Sequence, residues 1–237
     1  MKIAHISDFH LRHHLEGDDV RCGPDLIAEG ARLMAAHAPD LVAITGDLVD
    51  YPLDALDDPD TVALGEKDLH LVRECFDSLS CPVAYVHGNH DHPMSFRRVF
   101  SDQPFDFDVR GFRVIIFFDE EGDHNVPQRV GAERARFQSV LSDGDPRPQI
   151  HLQHYMIFPE HSGGYPYNYG NAAELRGALL ADSRRKLVLS GHYHEGEDLM
   201  AEGHVSFATA RAFREPPHPF RVYEIADADI TQAEYTL

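Results

Sequence analysis

Five short segments carry the side chains with which this chain could do chemistry. They are Asp8-Phe9-His10, Gly46-Asp47-Leu48-Val49-Asp50, Gly88-Asn89-His90-Asp91, His154 by itself, and Gly191-His192-Tyr193-His194. The set offers carboxylate, amide and imidazole donors and no thiolate. That is the donor set of hard-to-borderline divalent cations. Taken singly, each segment carries little information: Gly46-Asp47 and Gly88-Asn89 also suit turns, and His5 reads as an ordinary core residue. Taken together and in order, each just beyond an apolar run, they point to one metal site.

The elements that must position these residues can be read from the hydrophobic pattern. Strand-like runs at Lys2–Ile6, Leu41–Ile44, Pro82–Val86, Gln149–Gln153 and Leu187–Leu189 each end shortly before a cluster. Between them, helical periodicity predicts helices at Pro24–His37, Thr61–Leu79, Met94–Phe100, Gly131–Leu141 and Ala172–Leu180. Phe105–Val109 and Arg113–Phe118 flank Arg110-Gly111-Phe112 and read as a hairpin. The tail from His204 holds two or three further strand-like runs, Arg221–Ile225 among them. This alternation predicts an α/β fold with helices on both faces, in which ligands bind beyond the carboxyl ends of strands. The hairpin and the tail suggest a second sheet or mixed edges. No repeat or linker interrupts the chain, so residues 1–237 are expected to form a single domain.

Composition narrows the class. The 237 residues carry 21 basic and 40 acidic side chains, a net charge of −19, with 17 histidines. So acidic a chain is ill suited to nucleic-acid duplexes, whose binding rests on Lys and Arg. It remains compatible with an anionic substrate if bound cations dominate the local field. The three cysteines are odd in number and form no C-x-x-C pair, which favours a reducing compartment over a disulfide framework. No long apolar segment suggests a signal peptide or a membrane span, and a cytoplasmic location is expected. The aspartate-rich stretch Tyr51–Asp60 lacks the spacing of a calcium-binding loop and reads as solvated.

The motif series D-x-H, G-D-x-x-D, G-N-H-[DE], H and G-H-x-H resembles that of the calcineurin-like metallophosphoesterase superfamily, and spans Asp8 to His194. The resemblance implies a four-layer α/β/β/α sandwich, two mixed β-sheets flanked by helices, with the metal site at the carboxyl ends of strands. It implies two divalent metal ions, Mn, Fe or Zn. Asp8, His10 and His194 would hold the first, Asn89, His154 and His192 the second, and Asp47 would bridge them together with a water or hydroxide. It further implies in-line attack at phosphorus, with His90 as general acid. Asp91 either orients His90 by a hydrogen bond or serves as a turn or helix-start carboxylate. For Asp50 a supporting role is favoured over ligation.

The substrate is less legible. The protein Ser/Thr phosphatase branch follows its second motif with Arg-Gly and closes its third with Glu. Here Tyr51-Pro52 follows Asp50, and Asp91 follows His90. The chain most resembles the small bacterial phosphodiesterases, including those acting on cyclic nucleotides, so a small phosphodiester is expected. A small-molecule phosphomonoesterase would share every ligand, and a metal-bound module without turnover is a third class. The segment His161–Gly170, with three tyrosines, either lines the site or packs on itself. Arg211 and Arg214 either clamp a second phosphate or form surface ion pairs, and His13 is a weaker pocket candidate. Oligomeric state is not legible.

Overall fold

The structure, a computed structural model, describes residues 1–15, 22–56, 58–162, 164–226 and 229–237. The chain runs β1 (Lys2–Ile6), α1 (Pro24–Ala36), β2 (Leu41–Thr45), α2 (Pro59–Phe76), β3 (Val83–Val86), α3 (Pro93–Val99), β4 (Asp106–Val109) and β5 (Phe112–Ile116). Next come β6 (Glu120–Glu121), β7 (Pro127–Gln128), α4 (Gly131–Ser142), β8 (Gln149–Leu152), α5 (Ala172–Ala181) and β9 (Lys186–Ser190). Four strands close the chain: β10 (Glu197–Glu202), β11 (Val205–Thr209), β12 (Pro219–Ala226) and β13 (Asp229–Thr236).

Two large mixed sheets result. One has the order β13-β12-β1-β2-β3, with β1, β2 and β3 parallel. The other has the order β10-β11-β9-β8-β5-β4, with β11, β9, β8 and β5 parallel. The parallel strands are buried on both faces, which is why they read as continuous apolar runs rather than alternating ones. Their side chains still alternate between layers. Leu41 and Ala43 of β2 point into a core shared with Ile150, Leu152 and Leu189 of the second sheet. Val42 and Ile44 point outward against Ile27 of α1 and Leu69 of α2. A third core packs Val188 and Phe207 of the second sheet against Phe137 of α4 and Leu175 of α5. Three apolar layers between four strata of backbone form the expected α/β/β/α sandwich.

The differences from expectation lie at element ends and in the short or edge strands β6, β7 and β10. Helix α2 starts at Pro59, not Thr61, because Asp58 caps it by accepting from the Thr61 N–H at 2.8 Å, and Pro59 suits the first turn. It ends at Phe76, short of Leu79. The acidic edge strand β10 had no sequence signal: only Leu199 and Met200 in it are large and apolar. Cys22, Cys75 and Cys81 are free thiols. Among the described residues no helix is long and apolar enough to cross a membrane.

A buried hydrogen-bond chain pins β1 to β2. The Thr45 hydroxyl donates to Ser7 Oγ at 2.8 Å, so His5 Nε2 is the donor to Thr45 Oγ1 at 2.9 Å. Burial, reinforced by the charge of Arg221, lowers the pKa of His5 from 6.5 to about 3. The unfolded chain therefore binds a proton between those values that the folded chain refuses. Stability is fully present above pH 6.5 and falls as the pH drops toward 3, by up to about 1.4 kcal/mol per pH unit from this residue. In urea titrations between pH 6 and 4, the His5→Gln variant is expected to lose stability with a slope shallower by about one proton. An unchanged slope would show that His5 charges without unfolding the protein.

Candidate metal centre

Strands β1, β2, β3, β8 and β9 each stop just before one of the five clusters, so all five segments meet along the facing carboxyl edges of the two sheets. The connections are tight. The Asp8 N–H donates to the Gly46 carbonyl, the His10 N–H to that of Asp47, and the Gly191 N–H to that of His154. Gly191 permits this closeness: a β-carbon there would lie 2.0 Å from Ser7 Oγ and 2.7 Å from Asp8 Oδ2. Asp8, His10, Asp47 and His192 all have positive φ, between 47° and 70°. A left-handed backbone costs a non-glycine residue of order 1–3 kcal/mol, and such strain gathers at functional sites.

The structure brings the candidate ligands into two groups that share Asp47. Ligand atoms of Asp8, His10, Asp47 and His194 lie within 4.8 Å of one another, as do those of Asp47, His154 and His192. Asp47 Oδ2 faces His10 Nε2 at 3.5 Å, while its Oδ1 faces His154 Nε2 at 3.4 Å. Asn89 Oδ1 lies 3.1 Å from the same His154 nitrogen. His10 Nε2 and His194 Nε2 stand 3.1 Å apart, and the Asp8 carboxylate receives the His192 N–H at 3.2 Å.

Donor chemistry tests whether these residues fit cations. His154 Nδ1 donates to the Thr45 carbonyl at 2.7 Å, which fixes its tautomer and turns the Nε2 lone pair toward Asn89 and Asp47. His192 Nε2 is buried with no hydrogen-bond partner among the described residues. Lone pairs aimed at one another in a buried site need a positive charge among them. In the protein alone a proton serves: burial disfavours the His154 cation, yet the Asp47 and Asp8 charges raise its pKa to about 9. A proton cannot also serve His192, whose pKa burial and the neighbouring His154 hold well below 6.5. Divalent cations would engage all these atoms at once, and the residues fit them.

The structure corrects one role. Asp91 does not orient His90. It is buried and accepts backbone N–H bonds from Gly88 at 2.8 Å, Val49 at 2.9 Å and Leu48 at 3.1 Å, and so ties the second and third motifs together as a turn carboxylate. Burial and the nearby Asp47 charge raise its pKa to about 7, against those three donors. The partner of His90 is Asp50, whose Oδ1 is 2.6 Å from His90 Nδ1 and whose Oδ2 accepts from Arg12 Nε at 2.8 Å. Burial would raise the Asp50 pKa, but the His10 ring, 3.9 Å away, and the hydrogen bond with His90 hold it well below the usual carboxylate range. For His90, burial opposes the charge, but the Asp50 hydrogen bond and the Asp47 charge raise its pKa to about 9.

Above the cluster is a cavity of about 480 Å³, lined by Asp47, Asn89, His90, His192 and His194 and by Tyr165, Tyr167 and Tyr193. Of the tyrosine-rich segment, Tyr165 and Tyr167 line the site, whereas Tyr169 is buried and Gly163 lies outside the described residues. Arg211 pairs with Glu234 at 3.2 Å and Arg214 with Glu215 at 3.7 Å, and neither lines this cavity. The backbone N–H groups of His13 and His14 bind Asp68, and His92 caps α3. Glu121 and Asn125 also line the cavity without having been legible in the sequence, because they follow a hairpin and match no motif.

The calcineurin-like phosphoesterase family profile matches residues 1–196. The chain belongs to that family, whose members are metal-dependent hydrolases of phosphoester bonds. Among solved structures it resembles a dimetal phosphatase from Danio rerio, at 16% identity and a TM-score of 0.73, covering 99% of this chain and 96% of that one. A Thermus thermophilus protein matches at 16% identity and a TM-score of 0.62, over 98% and 97% of the two chains. Purple acid phosphatase PPD1 from yellow lupin seeds matches at 10% identity and a TM-score of 0.66, over 99% of this chain and 51% of that one. No curated protein matches in sequence.

Proposed function

We propose that this chain hydrolyses a small phosphodiester at a binuclear metal centre. The observation that carries the reading is the division of the two Asp47 oxygens between two groups of imidazoles. Asp8, His10 and His194 would hold one ion, Asn89, His154 and His192 the other, and Asp47 both. Two ions there, Mn, Fe or Zn, would polarise phosphoryl oxygens and make water a usable nucleophile near neutral pH. The rest falls to the protein. Asp50 binds His90 Nδ1 and fixes the ring, leaving Nε2 for the cavity, where it donates a proton to the departing ester oxygen. Tyr165 and Tyr167 wall the substrate from solvent beside His192, with ring centroids 5.5 and 5.8 Å from its ring. A diester rather than a monoester is favoured by a second, larger cavity that shares the Glu121 wall and leaves room for another ester arm. The free cysteines support a reducing, cytoplasmic setting.

The test is turnover by metal-reconstituted protein. Bis-p-nitrophenyl phosphate is expected to react at least about tenfold faster than p-nitrophenyl phosphate. The reverse order would indicate a phosphomonoesterase, and inertness toward both and toward natural diesters a binding module. In the His90→Ala variant, metal content is expected to stay at the wild-type level, while turnover of diesters with poor leaving groups falls by roughly 10²–10⁴. An empty site in that variant would refute the acid role.

A further inference from the structure

The larger cavity, about 890 Å³, shares Glu121 with the cavity over the metal cluster. Its floor is aromatic: Phe118 packs against Phe105 at 5.1 Å and Phe96 at 5.7 Å between ring centroids. This apolar surface is not sealed, since Phe105 is 51% and Val130 54% exposed. Its walls are acidic. Two of the carboxylates are already matched, Asp119 by Arg129 at 2.7 Å and Glu133 by Arg136 at 2.6 Å. Among the described residues, Glu120, Glu121 and Asp123 form no ion pair, and Arg97 is the one guanidinium that lines the cavity with them. Glu121 is half-buried, accepts from the Tyr165 hydroxyl at 3.1 Å, and lines both cavities. A carboxylate beside a phosphate site repels a second anion, which disfavours another phosphate in this cavity. Aromatic faces framed by carboxylates attract a cation with an apolar body.

Resting on the diester reading above, we propose that this cavity receives one ester arm of a zwitterionic phosphodiester: an alcohol ending in a quaternary or protonated amine, seated on Phe105 and Phe118 and facing Glu120, Glu121 and Asp123. Hydrolysis adds water across one P–O bond and yields an alcohol and a phosphomonoester. The arm decides which diesters reach the metals.

Two chromogenic diesters that differ only in that charge test the assignment. The Mn²⁺-reconstituted protein would be given the zwitterion p-nitrophenyl phosphocholine and its carbon isostere with an uncharged arm, the anion p-nitrophenyl 3,3-dimethylbutyl phosphate, in 0.3 M salt to screen the net charge of −19. The zwitterionic diester is expected to show a kcat/KM at least about tenfold higher, a preference that falls to about unity in Phe105→Ala and Glu121→Gln. Equal turnover of the two by wild type would overturn this inference and leave the diester reading standing. A preference that survives both substitutions would assign it to long-range repulsion of the anionic isostere and would equally overturn the cavity's role. Turnover of neither, with bis-p-nitrophenyl phosphate also inert, would remove the diester reading and this inference with it. As a check free of catalysis, calorimetry on metal-free protein should show one saturable site for benzyltrimethylammonium, weakened at least about fivefold by Phe105→Ala. No binding by wild type would refute the assignment.

Discussion

Asp47→Asn is expected to reduce bound metal from two ions per chain to one or none and to lower kcat/KM for a diester by at least about 10³. The carboxylate is the one group among the described residues whose two oxygens face both sets of imidazoles, at 3.5 and 3.4 Å. An amide keeps the shape and one oxygen but turns the other position into an N–H donor, which cannot ligate. Electrophilic stabilisation by the ions supplies several kcal/mol at the transition state, and each 1.36 kcal/mol lost is tenfold in rate. Elemental analysis together with diester kinetics reads both effects. Two retained ions would end the bridging assignment.

The same substitution should leave the fold intact, and that separates a ligand from a structural residue. Asp47 sits at φ 49°, a conformation that Asn tolerates at least as well as Asp. Its burial is a desolvation penalty, offset in the protein alone by the charges of His154 and His10. Removing the charge removes penalty and attraction together. The melting temperature of metal-free Asp47→Asn is therefore expected to lie within a few degrees of metal-free wild type, while the upward shift on adding Mn²⁺ shrinks, because stabilisation by a ligand follows its affinity for the folded state.

What could be read from the sequence divides along physical lines. Strands buried on both faces announce themselves as apolar runs, and a motif just beyond such a run must lie at a strand end. The positions of Asp8, Asp47, Asn89, His154 and His192 were therefore legible from the pattern alone. Contacts between loops were not. Asp91 follows His90 directly and Asp50 ends the preceding motif, and nothing in composition or spacing says which one reaches its ring. Backbone geometry decides: Asp91 turns inward to three N–H donors, and Asp50 comes across from the neighbouring strand end to the imidazole. The left-handed conformations of Asp8, His10 and Asp47 were likewise hidden, because propensity argues against them and only the site explains them. Glu121 belongs to a two-residue strand without periodicity, so its place between two cavities emerged only from the fold.

The largest stability effect is expected at a residue outside every motif. Arg129 is fully buried, yet it carries a charge. Burial works against that charge, and Asp119 holds it in place through bonds of 2.7 to 3.2 Å. The guanidinium also donates to Gln153 Oε1 at 3.0 Å and stacks over Phe117 at 3.8 Å, while the Tyr169 hydroxyl donates to Asp119 at 2.7 Å. Arg129→Met keeps most of the volume but leaves a carboxylate buried with a single hydroxyl donor. Breaking a buried pair from one side costs roughly 3–5 kcal/mol, which should show as a large drop in the urea midpoint. Adding Asp119→Asn removes the stranded charge, so the double variant should be more stable than Arg129→Met alone, with strongly non-additive effects in the cycle. Additive losses would mean that Arg129 acts by packing on Phe117 rather than by charge. Gln153 directly precedes His154, and Asp119 closes the wall of the larger cavity. The pair thus ties the His154 loop, proposed to bind metal, to the surface proposed to choose the substrate, and a charge-driven loss there would loosen both together.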